Sequence, residues 1–118
     1  QIGAAVTIVT VTEPWTALMT GEAAIAFPVD EYERAAAAEA DAILAKAAEA
    51  ASKAGVSVTT VHVKDRYPAD GILETAKAKG CDLIVMASHG RRGITRLILG
   101  SQANQVVTHS SLPVLICR

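Results

Sequence analysis

The sequence predicts an α/β fold, an open parallel sheet with helices on both faces. Three observations carry that expectation. Runs of apolar, mostly β-branched residues alternate with stretches of helical spacing, in the order strand, helix, strand, helix, strand, helix, strand. The strands read as near-continuous apolar segments, as strands covered on both faces do. A glycine-bearing loop follows the third strand and opens onto a helix start, at the strand end where open α/β sheets bind ligands.

The first strand is Ala4–Thr12, in which Val6, Ile8, Val9 and Val11 are β-branched and apolar, and Glu13-Pro14 ends it. Trp15–Val29 shows no clean period and is left without assigned structure, a long apolar loop of the kind that serves as a lid or interface element. Asp30–Ala54 is a long helix with two acids in its first turn, where the dipole favours them. Its Tyr32, Ala36, Ala40, Ile43, Leu44, Ala47 and Ala51 recur at 3–4 spacing, so small residues let it lie close to a sheet. Gly55 stops it.

Val56–Lys64 is the second strand, with His62 near its end as a hydrogen-bonded structural residue. Pro68 sits at or near the first position of the next helix, whose inner face is Ile72, Leu73 and Ala76 and whose last turn carries Lys77 and Lys79 before Gly80. The third strand, Leu83–Met86, leads into the small and polar stretch Ala87–Gly93 and an apolar turn with Ile94, Leu97 and Ile98. A helix opens at Gly100-Ser101, with Ala103, Val106 and Val107 on one face. Val114–Cys117 is a final, short, apolar strand, read as a sheet edge that needs covering.

At 118 residues the chain is one domain. It is 51% apolar but only 3% aromatic, so its core is built from Ala, Val, Leu and Ile. A net charge of -1 argues against a nonspecific nucleic-acid binder, which carries a large basic excess. No apolar run reaches the length of a membrane span, and no leader pattern opens the sequence, which makes a cytoplasmic location the expectation. Cys81 and Cys117 form no CxxC pair and are read as reduced, buried thiols.

The chemistry concentrates between Asp82 and Gln102. A strand that delivers a glycine-bearing loop onto helix starts collects unpaired N–H groups, and these, with the positive end of the helix dipole, bind phosphate oxygens. Gly90, Gly93 and Gly100 leave the backbone bare, and Arg91, Arg92 and Arg96 bring forked donors suited to phosphate. Ser101 fits two roles, capping its helix or donating its hydroxyl to phosphate. There is neither a GxxxxGK[ST] P-loop nor a GxGxxG dinucleotide motif.

This stretch resembles the nucleotide-binding signature of universal stress proteins: a glycine, two residues, a glycine, nine residues, then glycine with Ser or Thr. Here the frame is Ala87-Ser88-His89-Gly90, nine residues from Arg91 to Leu99, then Gly100-Ser101, with Ala87 standing where the pattern has its first glycine. The resemblance runs from the strand before Glu13-Pro14 to Pro113–Ile116. It implies a Rossmann-like three-layer sandwich, of the adenine nucleotide alpha hydrolase-like kind. It also implies that the sequence lacks the family's first strand, the central one, whose end carries a base-reading aspartate, together with the helix after it. Two rows of backbone groups would then lie unpaired, at about 1–3 kcal/mol for each one buried.

What the resemblance implies for function is an adenine nucleotide, ATP first, held by Ala87, Ser88, Gly90, Arg91, Gly100, Ser101 and Gln102, with the backbone of Val11 touching the adenine. Mg²⁺ would arrive with the phosphates, since no carboxylate pair is placed to hold it alone. Hydrolysis needs a positioned water, for which the sequence offers no candidate, so turnover is at most slow. A nucleotide-free homodimeric interaction module is the alternative, favoured by Ala87. A homodimer through Val114–Cys117 is expected in either case. No strand ends in the acidic cluster of a phosphoacceptor domain.

Overall fold

A computed structural model describes residues 4–18, 20–87 and 100–117. The chain is α/β, and its strands pair in parallel as two two-stranded sheets, in line with the two unpaired rows of backbone groups that the resemblance implies. Alternation identifies strands and their parallel sense, but not which neighbours pair. Two compact units result, residues 1–67 and 68–118.

In the first unit, β1 (Val6–Thr12) pairs with β2 (Val58–Lys64) in a register running from Val6 opposite Val58 to Thr12 opposite Lys64. The segment Trp15–Val29 is not an unstructured loop. It forms two short helices, α1 (Trp15–Leu18) and α2 (Glu22–Ala26), before α3 (Val29–Lys53) begins. The Trp15 indole N–H donates to the carbonyl of Phe27 at 2.9 Å, closing the segment on itself. The Phe27 ring meets Tyr32 edge to face, with centroids 6.1 Å apart.

Helix α3 packs against β1 and β2 through Tyr32, Ala40 and Leu44, which are buried, with Ala36, Ile43, Ala47 and Ala51 half-buried on the same side. That is the face its apolar spacing predicts. Asp30 and Glu31 occupy its first turn and Lys53 its last, each complementing the helix dipole. Gly55 ends it at φ 77°, a left-handed conformation that glycine adopts without a Cβ penalty, and Val56 N–H returns to Ala51 O at 2.8 Å.

In the second unit, α4 (Pro68–Ala78) leads to β3 (Ile84–Ala87), and α5 (Ser101–His109) leads to β4 (Val114–Cys117). The strands pair from Ile84 opposite Val114 to Ala87 opposite Cys117. One face of this sheet joins the core of Ala69, Ala76, Ile84 and Val106, with Leu73, Met86 and Val114 packed around it. The other face is apolar and open: Val85 and Leu115 are exposed, as is Leu83 just before β3. Gly80, at φ 65°, ends the turn after α4, and Cys81 N–H bonds Ala76 O at 2.9 Å.

Two further expectations need correction. Val107 does not share the buried face of α5 with Ala103 and Val106; it is 43% exposed, because a residue one step past Val106 has turned away from the core. Cys117 is exposed rather than buried, on the open face opposite Ala87, while Cys81 is half-buried; both are free thiols.

Candidate functional site

The second unit holds the glycine-serine helix start. Helix α5 is anchored from below by Ala103 and Val106, which are 2% and 0% exposed. The half-buried Gln102 fixes it further, its side-chain carbonyl accepting a hydrogen bond from Ala69 N–H, at the start of α4, at 3.1 Å. Gln102 therefore offers a ligand its backbone N–H, while its side-chain oxygen ties α5 to α4.

Gly100 is the residue that caps α5, with φ -64° and ψ 161°, and among the described residues no side chain makes a capping hydrogen bond. Ser101 is the first helical residue, one position beyond the cap, so its expected capping role is not met. The first backbone bond runs from Asn104 N–H to Gly100 O at 2.9 Å. The N–H groups of Ser101, Gln102 and Ala103 precede that bond and belong to the turn with no intrahelical acceptor. An exposed Ser101 hydroxyl beside them completes a donor set suited to phosphate oxygens.

Ala87 ends β3, exposed and paired with Cys117. It marks where the strand hands the chain to the loop. Ser88, Gly90 and Arg91, together with His89, Gly93, Arg92 and Arg96, lie outside the described residues.

Val11 belongs to the first unit. It is half-buried, one residue from the carboxyl end of β1, and pairs with Val63. The residues that follow it are held by bonds the sequence does not announce. The Thr12 hydroxyl and His62 Nε2 lie 2.6 Å apart, which gives His62 the structural partner expected of it. The Tyr32 hydroxyl donates to Glu13 O at 2.6 Å. Burial pushes the Tyr32 phenol above its ordinary pKa, and the nearby negative charges of Glu13 and Asp65 add to the shift. Arg66 N–H reaches Thr12 O at 3.4 Å, after Asp65 turns the chain at φ 58°. The end of β1 is thus fixed from β2 and α3, with Val11 within it.

Among the described residues there is no group of three or more His, Cys, Asp or Glu side chains able to hold a metal ion. Nor is any described helix long and apolar enough to cross a membrane.

Comparison with known proteins adds the following. The sequence model of the Universal stress protein family matches residues 1–118. Universal stress protein YxiE of Bacillus subtilis is 39% identical over 90 residues, covering 76% of this chain and 60% of that protein. Universal stress protein MJ0531 of Methanocaldococcus jannaschii is 36% identical over 80 residues, covering 68% of this chain and 46% of that protein. The chain therefore matches only about half of the length of these curated relatives. Among solved structures, that of hypothetical protein MJ0577 superimposes with a TM-score of 0.78 over 95% of this chain and 73% of that one, at 23% identity. That likeness is one of fold.

Proposed function

The chain belongs to the universal stress protein family, and we propose that it acts there by binding an adenine nucleotide, ATP first among them. The observation that carries this reading is the start of α5. Its first turn presents N–H groups to which no side chain among the described residues is bonded as a cap, at a Gly-Ser pair that stands in the signature spacing from Ala87 and Gly90. Gly100, Ser101 and the Gln102 N–H take phosphate oxygens. Ser88, Gly90 and Arg91 belong to the same nucleotide-holding set, and the Val11 backbone meets the base. Mg²⁺ would travel with the phosphates and supply charge neutralisation there.

The sequence offers no candidate to position an attacking water, so binding rather than turnover is the proposal. Nucleotide that stays intact for hours in the purified protein is the expected result. The protein works in the cytoplasm as a homodimer through Val114–Cys117, a strand whose Leu115 and Cys117 are exposed.

Titration calorimetry with ATP on the parent and on Gly100→Val tests the site. Affinity lost in a folded variant supports it, and unchanged affinity removes this helix start from the site. Ala87, in place of the signature's first glycine, favours a second reading, a nucleotide-free dimeric interaction module. Mass spectrometry of small molecules released from purified protein separates the two.

A further inference from the structure

At the opposite end of β3 from Ala87, the second unit contains a cavity of about 340 Å³. Three residue steps along the strand separate Ile84, in its wall, from Ala87, so the two ends are about 10 Å apart. We propose that this cavity is a binding site for a small amphipathic carboxylate, separate from the nucleotide site.

Its floor is apolar: Leu73, Ala76, Ile84 and Leu112 line it, and Ala76 and Ile84 are each 7% exposed. Its volume lies at the low end of the roughly 300–1,000 Å³ of ligand sites, which suits a short aliphatic or aromatic body. The rim carries donors, with Lys77, His109 and Ser111 among the lining residues and no Asp or Glu among those described.

Helices α4 and α5 both end here, and two helix C-termini would by themselves favour a cation. Several of their last carbonyls are already engaged, however. Thr75, Ala76 and Lys77 accept from Lys79, Cys81 and Gly80 N–H groups, and Val106 accepts from Ser110 N–H. Gln105 O accepts from the His109 ring at 3.0 Å, which puts the proton on Nδ1. With those carbonyls paired, Lys77 carries the one formal charge among the described residues of the lining, and an anionic head on an apolar body is its complement.

Cys81, half-buried in the wall, supplies the readout. In Cys117→Ser protein, alkylation of Cys81 is followed by mass spectrometry with hexanoate, hexan-1-ol or hexylammonium present. Hexanoate slows the alkylation with a half-maximal effect on the order of 1 mM, as weak small ligands do. Its advantage over hexanol is about threefold, the size expected of a partly exposed ion pair. Lys77→Gln, at an exposed position, keeps the fold as judged by circular dichroism and abolishes that advantage. Three results overturn the proposal: no protection by hexanoate, equal protection by hexanol, or better protection by hexylammonium.

Discussion

Gly100 adopts backbone angles open to any residue, so glycine is not required there by conformation. Its value to a ligand is the missing side chain. Gly100→Val is therefore expected to keep the fold and to weaken ATP binding at least about tenfold, or about 1.4 kcal/mol, in calorimetry. Ser101 separates two effects that the sequence leaves together. Because it lies past the cap and makes no capping bond, Ser101→Ala should change stability by less than about 0.5 kcal/mol while lowering affinity for ATP. A cap-sized loss in urea unfolding would contradict the structure. Tyr32 gives a third prediction. Its phenol pKa is raised on folding, so the folded state holds the proton more tightly than the unfolded one. The stabilisation is complete below the unfolded value near 10 and is lost as pH rises through the folded value. Tyr32→Phe should flatten that alkaline loss of stability, and at neutral pH should cost about 0.5–1.5 kcal/mol for the bond to Glu13.

At the scale of elements, what the sequence makes legible depends on how many turns an element has. Helix α3 has enough to display its period, and every residue of its predicted inner face is buried or half-buried. Helices α1 and α2, with four and five residues, have too few turns to show one. They are held by Trp15, Phe27 and Tyr32 acting across the chain, a tertiary cause that no local pattern records. Gln102 is a similar case. Its bond to Ala69 spans 33 positions, and nothing in the stretch around Gly100-Ser101 announces it. The glycine-serine start itself was legible, because its spacing is local, although the cap falls one residue earlier than Ser101. Gln102→Ala should leave the Ala69 N–H, in a residue 2% exposed, without its partner, at a cost of about 1–3 kcal/mol in denaturant unfolding. Gln102→Glu, which retains an acceptor, should recover most of it.

For the whole molecule, the α/β class and the parallel sense of the strands were legible from alternation, and the division into two sheets only from the family resemblance, which implies two unpaired rows of backbone groups. The sheet of β3 and β4 leaves Leu83, Val85 and Leu115 exposed, at 50%, 57% and 53%. A parallel sheet is ordinarily covered on both faces, so this apolar surface and the β4 edge are where a second copy is expected to pair. In a two-fold contact through β4, Leu115 of each copy lies near its counterpart. Leu115→Lys would bring like charges together there. The parent should sediment as a dimer at micromolar concentration and the variant as a monomer; a monomeric parent would end the dimer proposal.

The bond from Trp15 to Phe27 has a practical consequence as well. Trp15 is the sole tryptophan of the chain and lies in the first unit, whereas both thiols, Cys81 and Cys117, lie in the second. Indole emission and thiol reactivity are thus two built-in reporters that never speak for the same unit. Emission followed through urea reads the strap between β1 and α3, and Cys81 labelling, with Cys117 replaced by Ser, reads the floor beneath α4. The damage done by Tyr32→Phe and by Gln102→Ala can each be located without adding a foreign label to the protein.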